Sequence, residues 1–245
     1  MRFTRRLFLG LAIVLLAATP SQAAIALVAQ VSGTGASTFT TGSVDTSGAN
    51  LLTIALTEAS NGAATISDSK SNTWTKLTEQ CASTPCVVIY YAKNATVGSG
   101  HTFTATGSSF FAVLGASAWS GADTTAPFDQ ENGTGGGSMA SGQQPGSVTP
   151  TTDGQVVVSA MGWNDTRNIT SVTGSTQLNE NDFTGGVNYG GGSAYVIQTT
   201  AAAVNPAWNW TGGNVAGEVV VATFKAASGG GPTCPPTRLL LGVGC

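Results

Sequence analysis

Large apolar residues recur in this chain at a spacing of about 105 residues, and that recurrence limits its possible folds more than any other feature. Leu51-Leu52-Thr53-Ile54-Ala55-Leu56 aligns with Val156-Val157-Val158-Ser159-Ala160-Met161. Tyr90 aligns with Tyr195, Phe103 with Trp208, and Trp119 with Phe224 at the same offset. Gly42-Ser43-Val44 and Gly146-Ser147-Val148, and then Gly33-Thr34-Gly35 and Gly133-Thr134-Gly135, follow with a small drift. Insertions confined to loops would produce that drift. The apolar residues keep their places while the polar residues between them change. Packing positions that repeat without repeating polar chemistry point to a scaffold.

The repeated segments read as strands. In the first half they are Ile25–Val31, Thr38–Thr41, Leu51–Leu56, Thr73–Leu77, Val87–Ala92, His101–Ala105 and Phe111–Trp119. In the second they are Phe128–Glu131, Gly146–Thr149, Gln155–Met161, Thr176–Asn179, Ala194–Gln198, Ala207–Thr211 and Val219–Phe224. Val, Ile, Thr, Tyr and Phe dominate these runs, and Gly, Ser, Asn and Asp punctuate them about every 8–12 residues, as in sandwiches and barrels. No helical stripe with caps appears after residue 23. The expected fold is all-β: a β-sandwich, jelly-roll or immunoglobulin-like, with two pseudo-repeated halves of about 100 residues. The halves divide at about residues 24–122 and 123–227, and the tight junction Trp119–Phe128 favours one pseudo-symmetric unit over two linked domains. After Ala227 the composition turns to Ser228-Gly229-Gly230-Gly231-Pro232, a linker leading into a short tail that ends at Cys245.

Residues 1–23 carry the marks of an export signal: Arg2, Arg5 and Arg6, the apolar Leu7–Ala18, and the small-x-small site Ser21-Gln22-Ala23. Thr4-Arg5-Arg6-Leu7-Phe8-Leu9 fits either a twin-arginine or a general secretory signal. No segment is long and apolar enough to cross a membrane, which needs about 20 residues. The expected location is the periplasm, the cell surface or the medium. Cleavage would remove three positive charges from a chain already at −3 and leave six scattered cations, so nucleic acid is not an expected partner. Only 9% of residues are charged while 41% are hydrophobic, a balance that suits a packed domain with a neutral, hydrogen-bonding surface and argues against disorder. Export permits disulfides, and Cys81 with Cys86 and Cys234 with Cys245 form two close pairs. A metal site is not expected, because His101 is the single histidine and the thiols are too spread.

Ser67-Asp68-Ser69-Lys70-Ser71-Asn72-Thr73-Trp74-Thr75, Tyr91-Ala92-Lys93-Asn94, Trp119-Ser120-Gly121, Pro127-Phe128-Asp129 and Ala222-Thr223-Phe224-Lys225 together carry a likeness. Across residues 25–227 the chain resembles a family of mostly uncharacterised secreted bacterial β-sandwich modules, often found in cell-surface proteins beside immunoglobulin-like repeats. The resemblance implies the fold and an extracellular location. Its motifs are turn and core patterns, and it brings no catalytic residues.

Three constellations bear on chemistry. Asp68-Ser69-Lys70-Ser71-Asn72 alternates oxygen side chains like the start of a calcium loop, but Lys70 interrupts it and no bidentate Glu follows, so a polar turn anchored by Asp68 is expected. Asp123, Asp129, Glu131, Asp165, Glu180, Asp182 and Glu218 could supply a hydrolytic pair, yet they are scattered, with Asn179-Glu180-Asn181-Asp182 the densest group. There is no Gly-x-Ser-x-Gly elbow, and His101 shares a strand face with Phe103, which suits a strand histidine better than a general base.

Aromatic residues give the stronger lead. Those matched between the halves are expected in the core, whereas Trp163 and Tyr189 stand opposite Glu58 and Thr84 in the repeat. Residues that break a repeat are where function is grafted. Trp163, Asn164, Asp165, Asn188 and Tyr189 are therefore the expected contact surface of a non-catalytic binding module for glycan or another surface polymer, without a cofactor. A structural or adhesive protein, and a secreted glycan hydrolase, are the alternatives.

Overall fold

The computed structural model describes residues 24–59 and 64–228. The expected signal, the end of the linker, Cys234 and Cys245 lie outside them. No helix occurs among the described residues. The strands are β1 (Ala26–Thr40), β2 (Leu51–Glu58), β3 (Thr65–Asp68), β4 (Thr75–Lys76), β5 (Cys86–Lys93) and β6 (Phe103–Ser120). They continue as β7 (Phe128–Met139), β8 (Gln155–Trp163), β9 (Ile169–Thr173), β10 (Thr176–Phe183), β11 (Tyr189–Gln198), β12 (Ala207–Trp210) and β13 (Val215–Phe224).

The strands pair antiparallel in two main sheets, ordered β1-β6-β2-β5-β4 and β7-β13-β8-β11-β10. β3 pairs with the start of β6, and β9 with β12. The described residues form one compact unit. The central strands β2 and β8 are buried along their whole length, which explains why they read as continuous apolar runs without polar alternation. These central strands are covered on both faces.

Successive residues of each central strand therefore feed different cores. Leu51 and Ala55 of β2 meet Val156, Val158 and Ala160 of β8 in the cluster between the main sheets, with Trp119 and Phe224. Leu52, Ile54 and Leu56 face the other way and meet Val88, Tyr90 and Phe103 beneath β3. Met161 and Trp163 likewise face Ile169, Val172, Trp208 and Trp210 beneath β9 and β12. The result is a β-sandwich with buried cores on both sides of its central strands, in which each fully buried large side chain contributes about 1.5–3 kcal/mol.

The cross-strand pairs Leu51–Trp119 and Val156–Phe224 both lie in the cluster between the sheets. Tyr90 and Tyr195 do not correspond in this way. Tyr90 stands opposite Ile54 and enters the first outer core, while Tyr195 stands opposite Val158 and packs between the sheets.

Several strand expectations change. Ile25–Val31 and Thr38–Thr41 merge into β1, which continues through a bulge between Ala36 and Thr38. Gly146–Thr149 forms no strand and contributes a single bridge, Val148 to Val204. β7 runs to Met139 through a glycine-rich stretch. Cys81 and Cys86 are joined by a disulfide beside β5.

Candidate functional site

Two clefts flank the edge strand β10, one on each face, because neighbouring residues of a strand point to opposite sides. The first opens between the main sheets and has a volume of about 350 Å³. Phe111 of β6 forms its floor, only 4% exposed. The Tyr189 ring stacks on Phe111 at 3.8 Å between centroids and 13° between planes, and Phe183 stacks on Phe111 at 5.6 Å and 19°. Phe183 and Tyr189 are a cross-strand pair of β10 and β11, so both project toward the first sheet. Val187, 48% exposed, continues the apolar wall. Ala36 and Ser37 of the β1 bulge, with Ala59 after β2, close the opposite side.

Glycines allow the sheets to meet beneath this cleft. A Cβ at Gly191 would come within 2.5 Å of Thr57 Oγ1, and one at Gly162 within 2.7 Å of Val87 Cγ2. A side chain at either position would require Thr57, Val87 or Val113 of the first sheet to shift.

The second cleft, of about 470 Å³, is lined by Thr166, Arg167, Asn168, Glu180, Asn181 and Asp182. Glu180 holds the start of β9 against β10. Glu180 Oε1 accepts the Ile169 amide at 2.9 Å and Oε2 accepts the Gln177 side-chain amide at 3.0 Å. Arg167 Nη2 pairs with Asp165 Oδ2 at 2.8 Å. Burial, then repulsion from Glu180, raises the Asp182 carboxyl above its usual range, with the Trp163 indole partly offsetting them.

The five expected contact residues fall into different environments. Trp163 is fully buried in the outer core of the second sheet and has no surface on which a ligand could stack. Its expected contact role is corrected: opposite Gly190 of β11, the indole meets the carboxyl of Asp182. Asp165 is taken up by Arg167 and by the Thr166 amide. Asn164 is exposed, and its backbone amide bonds Ala216. Asn188 is exposed beside the aromatic cleft, and Tyr189 lines it. Of the five, Tyr189 alone enters a stacked aromatic surface. Sequence reasoning missed its partners Phe111 and Phe183, because Phe111 reads as part of an apolar strand and Phe183 ends an acidic one.

The remaining candidate groups have structural duties. Asp123 accepts the Thr125 and Ala126 amides, Asp129 holds Thr151 and Gln155, and Glu131 holds Thr78. Glu218, fully buried, accepts the Ser83 amide at 2.6 Å and so ties the disulfide loop to the second sheet. His101 is buried and bridges Thr46 Oγ1 at 2.9 Å and Asp68 Oδ1 at 3.0 Å. Its ring stacks on Phe103. This is a strand-bridging histidine fixed at both nitrogens, with no access for a substrate.

A buried carboxyl pair escaped the sequence reading altogether. Glu58, at the end of β2, is fully buried and its Oε2 accepts the Ala64 amide at 2.8 Å. Burial, then the hydrogen bond and repulsion from Glu79, push the Glu58 carboxyl up to about 7.

Comparison of the chain with protein-family models, with curated proteins and with solved structures finds no match.

Proposed function

We propose that this protein is a non-catalytic secreted or cell-surface binding module for a glycan or another surface polymer, with the aromatic cleft as its contact surface. One observation carries the reading: Phe111, Phe183 and Tyr189 form a stacked platform that opens to solvent beside the exposed Val187. Concave, largely apolar sites with a few polar groups are where ligands bind. A sugar ring offers an apolar C–H face to such a platform, and its hydroxyls reach the polar rim. The signal-like residues 1–23, the low charge and the resemblance to secreted bacterial modules support an extracellular setting.

A secreted glycan hydrolase is the competing reading, and the two carboxyls that line the polar cleft, Glu180 and Asp182, are the observation behind it. Against it, Glu180 already uses both oxygens to hold neighbouring chain. A glycan array probed with the exported protein and with a Phe183→Ala/Tyr189→Ala variant tests the binding reading. The expected outcome is retention of at least one glycan by the wild type and loss of it, by tenfold or more, in the variant. Wild-type protein that binds nothing would favour a purely structural or adhesive role. Polysaccharide turnover abolished by Asp182→Asn would favour the enzyme.

A further inference from the structure

Ser37 lies in the wall of the aromatic cleft with a backbone that disfavours its own side chain. Its φ is +60°, the left-handed region, in the bulge of β1 between Ala36 and Thr38. Glycine adopts that conformation freely, whereas a residue with a Cβ does so at a cost. The same strand has glycine at positions 33 and 35, two and four residues earlier. Ser37 is exposed, and no hydrogen bond engages its hydroxyl among the described residues. Local strain of this kind gathers at ligand sites, where the side chain it presents has a use. The charge of the cleft is the second constraint. None of its lining residues carries one, and Arg167, on the other side of β10, is held by Asp165. An anionic sugar would lose water on entry and find no cation in compensation.

We propose that the cleft takes an uncharged saccharide ring, its C–H face on Phe183 and Tyr189 and one of its hydroxyls hydrogen-bonded to Ser37 Oγ. This rests on the binding reading and narrows it to a ligand class and a specificity-determining residue.

The test is affinity electrophoresis of the exported protein through gels containing a neutral β-glucan, a neutral mannan or polygalacturonate, with melting temperatures measured in parallel. Wild-type protein is expected to be retarded by a neutral polymer and to run freely through polygalacturonate. Tyr189→Ala should abolish the retardation. Ser37→Gly should melt at or above the wild-type temperature and yet bind about tenfold more weakly, the loss of one hydrogen bond to a neutral group. Ser37→Ala keeps the backbone cost and should weaken binding equally. A purely structural Ser37 would give a more stable Ser37→Gly protein with unchanged binding, and that result overturns the proposal. Tyr189-dependent retardation by polygalacturonate overturns the neutral-ligand inference while leaving the binding reading intact. No retardation by any polymer overturns both.

Discussion

Asp68 accepts the Lys70 amide at 2.8 Å, the Asn72 amide at 3.2 Å, the Trp74 indole at 2.7 Å and His101 Nε2 at 3.0 Å. Its oxygens are thus directed at N–H donors, and the alternating oxygens of residues 68–72 form a turn in which Ser71 takes a φ of +60°. Burial pushes the Asp68 carboxyl up, but the bonds from Lys70, His101 and Trp74 outweigh it and hold it below the usual carboxylate range. Asp68→Ala would strip a partner from several of these donors at once, and each buried orphan costs about 1–3 kcal/mol. We expect a loss of several kcal/mol, read as a lower urea midpoint, with Asp68→Asn intermediate because its amide oxygen still accepts. Trp163 is a contrasting residue. Trp163→Phe should leave polymer binding unchanged in the glycan array, because the ring faces core. Trp163→Ala should cost about 3–5 kcal/mol through the cavity it leaves.

β7 owes its pairing to missing side chains. Gly135 stands opposite Glu218, and a Cβ there would collide with the Glu218 carboxylate. The carboxylate cannot withdraw, since Ser83 holds it and the residue is fully buried. Gly135→Ala is therefore expected to destabilise by about 1–3 kcal/mol in chemical denaturation, as overpacking does. Gly137→Ala, which meets nothing within 4 Å, should cost far less. The same physics explains what was legible in the sequence. Val156-Val157-Val158 and Leu51-Leu52 announce central strands because both their faces are buried. The glycine run of residues 133–137 announces a break, because a local reading counts the lost strand propensity and cannot see Glu218 arriving from far along the chain. β3 and β9 are short strands whose partners β6 and β12 also lie well along the chain, beyond the reach of a local reading. Tyr189 was legible as a departure from the repeat. Trp163 departs from it equally, but into a core, and alternation within β8 cannot settle which of two buried faces is the outer one. Phe111 and Phe183 come together with Tyr189 only through the packing of one sheet on the other.

At the scale of the whole molecule, pH dependence follows from carboxyls shifted in opposite directions. The raised group with the clearest shift is Glu58, at about 7 against an ordinary 4.5. Glu79 faces it and raises it, the Lys76 charge opposes that shift, and the Tyr90 hydroxyl is itself pushed up by the same burial and the two glutamates. A folded state that holds its proton more tightly than the unfolded chain is favoured in full below the unfolded pKa. That stability is lost as the pH rises from about 4.5 to about 7, after which the curve is flat. Asp182 and Glu218, both raised mainly by burial, add to the same loss. Asp68, Asp123 and Asp129 act the other way. Their depressed values give stability that is present above the ordinary aspartate range and lost as the pH falls through the folded values. The melting temperature should therefore peak at about pH 4–5, falling on the acid side and declining toward neutrality. Glu58→Gln keeps an acceptor for the Ala64 amide and removes the titration. It should flatten most of the decline between about pH 4.5 and 7 while leaving the acid limb in place. A Glu58→Gln protein whose melting temperature still falls as steeply as the wild type's over that interval would show that the Glu58–Glu79 pair is not its source.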